Sequence, residues 1–478
     1  MTSTLFITII LVFVGARLWH LTSYGVFGDE VFTLWTSEQG WRGLFGSVVG
    51  DVVHPPLFYV LLKLWIGIGG PSPHWAKFLP VLFSVASIVP FFLLCRELNL
   101  EPRTMNLALW LMAVNGFLIN HSQELRMYSL LLLLAVSSLW LFARLVNRDA
   151  GTVVIQCELC AVNSLLVFTH YYGWVVVGLE FIFLLIWKRV RLRAFAITAA
   201  FLVLCFAPWV YFVARAARAN PSRVDFAWNE PPALSELIGF YSNLNGSLSY
   251  RWKVFGTAGV VLLFLFPVMG WGWRAVGRKR EGARSARETF FWLALFAFVP
   301  PAVSFFASHI LPQSVWAFRY LIIAAPPYLL LVAAAAYRLK PTRVRIGMLV
   351  FLVCWSALSG FAGIADGDRI AWQPLVERMI QAEMEQPGGR VYVTDANVGN
   401  TVQYYLDQAG ETRLQVSFIN GFNSAPDSHF WIALIRYKHE VEPLLQAAMV
   451  ARGYTVGNSI ESEAAGHKAV LFPVWKHR

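Results

Sequence analysis

The run PPLFYVLLKLWIGIGG, Pro55 to Gly70, decides how this chain is threaded. It is apolar, yet it falls short of the roughly 20 mostly apolar residues that a membrane-crossing helix needs, and Lys63 interrupts it. If it crosses a bilayer, every later segment changes sides. The surrounding sequence makes the question necessary. The chain has 478 residues, 57% of them hydrophobic and only 14% charged, against about 25% charged in soluble domains. Its mean hydropathy is +0.55. Eleven other apolar runs, at 4–19, 78–95, 107–119, 128–143, 153–168, 173–187, 195–213, 255–271, 290–307, 320–337 and 346–361, read as spans.

The flanking charges answer it, because cytoplasmic loops carry the excess of Lys and Arg. With Pro55–Gly70 left uncrossed, the eleven runs crossing and the N-terminus inside, the inner loops are CRELNLEPR, ARLVNRDAG, WKRVRLR, WRAVGRKREGARSARE and YRLKPTRVR. The outer loops NHSQELRMY, THYYG and SHILPQSVWAFRY hold few basic residues. Letting the short run cross would invert this bias. Pro55–Gly70 is therefore expected to be a juxtamembrane or re-entrant helix in the first outer loop. The outer loop 214–253 is fairly basic, but long loops follow the rule weakly. The first run lacks a basic leader and a small-residue cleavage site, so it is expected to remain as a span.

Composition shifts near residue 364, where hydrophobic stretches shorten and carboxylates and glycines enter. WQPLVERMIQAEM, TVQYYLDQ and VEPLLQAAMVARGY read as helices, and RVYVTD, FWIALIRY and AVLFPVWK as strands. The expected fold is a polytopic α-helical membrane protein of about eleven transmembrane helices over 1–363, with juxtamembrane helices in the first outer loop. Residues 364–478 form a small extracytoplasmic α/β domain in the same reading. No glycine fingerprint follows its strands, so no nucleotide is expected. The net charge of +11 fits the positive-inside bias and anionic lipid without any nucleic acid. The five cysteines lie in or beside spans; Cys157 and Cys160 have C-x-x-C spacing, but a second pair is missing, so buried apolar roles are expected.

Five clusters of functional side chains fall at one membrane face in this topology. They are Asp29–Glu30 in FGDEVFTLW; DVVHPPLFY with Asp51, His54, Pro55 and Pro56; HSQELRMY with His121, Glu124, Arg126 and Tyr128; THYY with His170; and WAFRY with Arg319 and Tyr320. Taken singly, each has a plain explanation. An acidic pair can open a helix, Pro-Pro suits a first helical turn, and Arg and Tyr at a span's end are interfacial anchors. Together they are harder to dismiss.

A first span, DE, then HPPLFY, an outward E-x-R-x-Y opening a span, THYYG, and a late FRYLIIAAPPYLLL resemble the polyprenyl-phosphate-sugar-dependent glycosyltransferases of the type C superfamily. That group includes bacterial galacturonosyltransferases, protein O-mannosyltransferases and lipid A aminoarabinose transferases. The resemblance spans roughly residues 10–335. It implies a cell-membrane enzyme whose partners are a polyprenyl-phosphate-linked sugar donor, a glycan, lipid or protein acceptor, and membrane lipid. One departure stands out: the protein mannosyltransferases carry Lys soon after HPP, whereas here the nearest is Lys63.

Chemistry is consistent with that resemblance. A sugar leaving from a polyprenyl phosphate departs as an anion and needs no general acid, unlike the two-carboxylate arrangement of a glycosidase. One carboxylate suffices to take the acceptor hydroxyl's proton from the opposite face, which implies inversion. Asp29 is assigned as base by its match to the family's first acidic residue, and Glu30 supports it, since adjacent side chains diverge on a helix or a strand. Arg126 and Arg319 suit the phosphate; His54, Glu124, Tyr128, His170 and Tyr320 complete the expected binding set. His54, His170, Asp29 and Glu124 offer donors for a divalent metal, but their spacing does not require one. The alternatives are a lipid-linked-sugar transporter or flippase, which would show repeats and ionisable groups near mid-membrane, and a non-catalytic lipid-binding protein.

Overall fold

A computed structural model describes residues 3–21, 25–148, 152–219, 230–246, 253–277, 282–365, 370–383, 389–393, 395–418, 429–436, 441–464 and 467–476. The chain divides into two compact units. The larger comprises Met1–Trp19, Thr36–Gly70 and Lys77–Ile364; the smaller joins His20–Trp35 and Pro71–Ala76 to Ala365–Arg478. Two short segments from the first third of the chain thus belong with the C-terminal region, which composition alone did not assign to it.

The larger unit is helical, and the protein is a polytopic membrane protein. Among the described residues, seven helices are long and apolar enough to cross a bilayer: Pro73–Glu97, Tyr128–Asn147, Thr152–Thr169, Arg189–Ala219, Arg287–Ile310, Phe318–Ala336 and Thr342–Phe361. Three further expected spans are the shorter apolar helices Thr4–Leu18, Gly173–Trp187 and Gly259–Ala275. Phe201, Leu204 and Met269 are exposed on such helices, as befits an apolar surface meant for lipid rather than water. The deciding segment forms the helix Leu57–Gly69 of 13 residues, about 20 Å long at 1.5 Å per residue against a hydrocarbon core of about 30 Å.

The remaining expected span, 107–119, is broken. Helix Pro102–Ala113 stops and a short helix Gly116–Ser122 begins after Asn115. Asn115 accepts from the Leu118 amide at 3.0 Å and donates to the Leu244 carbonyl at 2.7 Å, so it caps the second helix and ties the break to a neighbour. The first helix's free carbonyls are met by the fully buried Arg17, which donates to Ala113 O at 3.1 Å, Met112 O at 3.2 Å and Ser84 Oγ at 2.8 Å. A cation at a helix C-terminus is also favoured by the helix dipole. The Asn-Gly pair at 115–116 is a breaker signal visible in the sequence.

In the loop 214–253, residues 220–229 and 247–252 lie outside the described residues, as do 278–281 of the basic inner loop; the described part of the former contains helix Leu234–Leu244.

The smaller unit contains strands β1 (Arg390–Val393), β2 (Gln415–Phe418), β3 (His429–Arg436), β4 (Thr455–Val456), β5 (Ile460–Ala464) and β6 (His467–Trp475). Their order is β2-β1-β3-β6-β4, with β5 also paired to β6. β1 runs parallel to β2 and β3, and β6 is antiparallel to β3, β4 and β5. Alternate residues of β3 and β6, Phe430, Ile432, Leu434, Val470, Phe472 and Val474, pack with Leu445 and Met449, the period-2 pattern of a strand burying one face. Helices Trp372–Glu383, Ala396–Gln408 and Val441–Ala451 complete the unit. Strands β2, β4 and β5 escape a sequence reading because the first two are short and only partly buried, and β5, IESEA, carries two glutamates.

Candidate functional site

The larger unit gathers residues from four separate stretches of sequence into one nest. The first, 51–54, follows helix Trp41–Asp51 through Val52, whose φ of +57° is unusual for a β-branched residue. Tyr171 donates to the Val52 carbonyl at 3.2 Å and helps hold that turn. The turn presents His54, only 4% exposed, with Nδ1 3.2 Å from Asp51 Oδ2.

Arg126 comes from the turn preceding helix Tyr128–Asn147 and is also 4% exposed. Its Nη2 lies 3.3 Å from both ring nitrogens of His54, and Nη1 reaches the Tyr59 hydroxyl at 3.5 Å. The set is satisfied when the imidazole donates from Nδ1 to Asp51 and accepts from Arg126 at Nε2. The guanidinium then faces a neutral ring.

His170 lies between helices Thr152–Thr169 and Gly173–Trp187. Its Nδ1 accepts from the Tyr172 amide at 3.2 Å, which leaves the ring proton on Nε2. That Nε2 is buried and has no hydrogen-bond partner among the described residues. Burial, reinforced by the Arg126 and Arg319 guanidiniums, holds the His170 pKa well below the usual histidine value, so the ring is neutral. An unpaired N–H in such a place is costly and marks a donor awaiting an acceptor.

Tyr320 closes the nest. Its ring centroid is 4.7 Å from that of His170, 5.6 Å from Tyr172 and 6.2 Å from His54; the two histidine rings are 5.5 Å apart. The Tyr172 hydroxyl is anchored to Ser304 and to the Val315 carbonyl. Arg319 sits with its guanidinium carbon 5.8 Å from the Tyr128 ring and 5.7 Å from the Tyr320 ring, within cation–π range. Two guanidiniums, one neutral N–H donor and several tyrosines make a site suited to an oxyanion.

Other expected residues are placed differently. Glu124 is directed at His121, with Oε2 3.1 Å from Nδ1. Among the described residues, no three His, Cys, Asp or Glu side chains are arranged to hold a metal ion. Lys63 donates to the carbonyls of Ser37 and Gln39 and lies over the Trp41 ring at 5.5 Å. It therefore caps the end of helix Asp29–Glu38, a use the sequence did not reveal.

Asp29 and Glu30 belong to the smaller unit and open helix Asp29–Glu38. Glu30 is buried and turns back, accepting from the Phe27 amide at 3.3 Å while its own amide donates to Phe27 O at 2.9 Å. The carboxylate supplies the glutamate half of a capping box, and the Phe27 carbonyl, in place of an N-cap side chain, closes the turn. Asp29 is half-buried, and its carbonyl accepts from Thr33 Oγ1 at 2.7 Å. The two adjacent carboxylates thus differ: Glu30 fastens the helix start, and its neighbour's role does not depend on that bond.

No family model and no curated protein matches the sequence. Solved structures do. ArnT from Cupriavidus metallidurans bound to undecaprenyl phosphate aligns over 98% of this chain and 98% of its own, with a TM-score of 0.57 at 13% identity. Its apo form aligns with a TM-score of 0.54 at 12% identity over 98% of this chain and 97% of its own. The archaeal oligosaccharyltransferase AglB from Archaeoglobus fulgidus, in complex with an inhibitory peptide and a dolichol-phosphate, aligns over 84% of this chain and 63% of its own, with a TM-score of 0.51 at 13% identity. The chain shares the fold of ArnT and of the aligned part of AglB, in keeping with the fold that the sequence resemblance implies.

Proposed function

We propose that this protein is an inverting glycosyltransferase that moves a sugar from a polyprenyl-phosphate donor to an acceptor hydroxyl at the outer face of the cytoplasmic membrane. The observation that carries the reading is the nest in which Arg126, Arg319 and the unpaired Nε2–H of His170 come together. The shared fold supports it, because ArnT is a transferase solved with undecaprenyl phosphate and AglB one solved with a dolichol-phosphate.

In this reading the donor's phosphodiester lies against the two guanidiniums. The acceptor oxygen attacks the anomeric carbon and gives its proton to the Asp29 carboxylate. The bond from that carbon to the phosphate oxygen breaks, and its electron pair stays on the phosphate. The leaving polyprenyl phosphate carries one more negative charge than the donor did, so Arg126 and Arg319 bind the transition state more tightly than the ground state. His170 donates to a phosphate or sugar oxygen, while His54, Tyr128 and Tyr320 shape the pocket. Glu30 acts through the capping bond to Phe27. Residues 364–478 form the extracytoplasmic domain, with the N-terminus inside the cell.

The test supplies purified protein with a polyprenyl-phosphate sugar and follows release of polyprenyl phosphate. Wild type should consume the donor, and Asp29→Asn should fall by about 100-fold or more, the usual contribution of a general base. Equal rates in the two proteins would remove Asp29 from its role, and a wild type that neither binds nor consumes any such donor would remove the enzyme reading.

A further inference from the structure

The stretch GVFGDE, residues 25–30, is held by side chains nearly 380 residues further along the chain. Tyr405 grips both backbone groups of one residue: its hydroxyl accepts from the Val26 amide at 2.9 Å and donates to the Val26 carbonyl at 3.0 Å. One helical turn earlier, Thr401 Oγ1 accepts from the Gly28 amide at 2.8 Å and donates to the Asn397 carbonyl at 2.6 Å. The four-residue spacing places Thr401 and Tyr405 on one face of helix Ala396–Gln408. Between these anchors Phe27 stacks on Trp372, with ring centroids 5.8 Å apart and planes 4° from parallel.

Approach is close enough to restrict the loop's own residues. A Cβ on Gly25 would meet the Tyr405 hydroxyl at 1.9 Å, and one on Gly28, whose φ is +48°, would meet Asn397 at 3.0 Å. Tyr405 and Thr401 are buried, and burial raises the Tyr405 pKa, so its hydroxyl keeps the proton that the Val26 carbonyl receives. Each backbone donor in this grip has a defined partner immediately before the carboxylates. A rigid backbone one residue ahead of Asp29 limits where its carboxylate can stand.

We propose that the C-terminal α/β region works as the positioning element for the acidic pair, with Tyr405 and Thr401 as positioning residues that fix the approach of Asp29 to the acceptor. The proposal rests on the reading of Asp29 as the base. It gives the α/β region a task in the reaction without contact to substrate. Loss of a hydroxyl grip frees the loop, and misplacement of a catalytic group by about 1 Å costs on the order of 100-fold in rate.

The experiment measures donor turnover and backbone hydrogen exchange in full-length wild type, Thr401→Val, Thr401→Ser, Tyr405→Phe and Asp29→Asn. Thr401→Val and Tyr405→Phe should each lower kcat by about 10- to 100-fold with KM for the donor unchanged. Thr401→Ser, which keeps the hydroxyl, should restore kcat to near wild type. Exchange over residues 25–30 should rise at least tenfold in the Val and Phe variants and stay unchanged in β3 and β6. If Asp29→Asn is inactive while Thr401→Val and Tyr405→Phe turn over at the wild-type rate, the positioning proposal is wrong and the base assignment stands. If wild type consumes no donor, the functional reading fails. Exchange then decides the grip: unchanged protection of 25–30 in both variants would overturn it.

Discussion

Two of the polar clusters buried among the described residues of the helical unit are built in opposite ways. In the first, Ser138, Asn163 and Glu180 come from the three helices Tyr128–Asn147, Thr152–Thr169 and Gly173–Trp187, all fully buried. Ser138 Oγ lies 2.6 Å from Asn163 Oδ1 and 2.6 Å from Glu180 Oε1, and Asn163 Nδ2 donates to Glu180 Oε2 at 2.8 Å. The serine has one hydrogen, so all three contacts close when Glu180 carries a proton and donates to Ser138. Every member then has its partner within the ring. In the second cluster, the nest of His54, Arg126, His170, Arg319 and Tyr320, the His170 Nε2–H is left without one among the described residues. A satisfied network holds helices together; an unsatisfied donor beside two cations is a place for a ligand. An ionisable group in mid-helix such as Glu180 is the kind of residue a transporter would use; here its carboxyl is bonded to Ser138 and Asn163 within the ring.

The largest effect is expected at Arg126. Replacing it with Leu should weaken binding of a polyprenyl phosphate by at least about 30-fold, the lower end for a buried charge-assisted contact, and Arg126→Lys should recover only part of this because it lacks the fork of donors. Undiminished affinity in a folded Arg126→Leu protein would exclude the nest as the phosphate site. His170→Phe keeps the ring stack and removes the N–H, so about a 10- to 100-fold loss in donor affinity or turnover is expected, with little change in melting temperature. A large drop in melting temperature at unchanged activity would make His170 a structural residue.

The ring should respond the other way. Glu180→Leu orphans Ser138 and Asn163 and should cost about 1–3 kcal/mol of stability, with turnover per folded molecule unchanged. Glu180→Gln, which carries an N–H where the acid carries O–H, should melt near wild type. If Gln is as damaging as Leu, or if either abolishes turnover in folded protein, the division between clasp and site fails.

The smallest effect concerns pH. The unfolded His170 imidazole takes up a proton near pH 6.5, and the folded one is held neutral by burial and neighbouring charge. Below that pH the unfolded state binds more protons, so stability falls as pH falls. His170→Phe removes this contribution and should lose less melting temperature than wild type between about pH 7 and pH 5.5. Equal losses would mean that His170 titrates normally.

Much of this arrangement is legible in the sequence. Hydropathy and the Lys and Arg bias point to the helical membrane fold, and spacing picks out His54, Arg126, His170, Arg319 and Tyr320, because charged and aromatic residues at the ends of apolar runs are conspicuous. What stayed hidden depends on three-dimensional pairing. Nothing local to Tyr405 announces a bond to Val26, and Lys63 in an apolar run does not reveal the carbonyls it caps. The break after Ala113 is a different case. Its Asn-Gly signal lies in the sequence, but the surrounding hydropathy of a full-length span masks it, and the bonds of Arg17 to the freed carbonyls are what mark the break. Glu180, alone in its apolar run, gave no sign of Ser138 and Asn163 on neighbouring helices.

The most direct test of the account compares a polyprenyl phosphate with the corresponding polyprenol, so that the lipid tail is shared and only the anion differs. Titration against full-length wild type, Arg126→Leu and Glu180→Gln measures the preference for phosphate. A preference of at least about 30-fold is expected in wild type and in Glu180→Gln, and its loss in Arg126→Leu. Equal binding of the phosphate and the alcohol by wild type, or a preference untouched by Arg126→Leu, would contradict it.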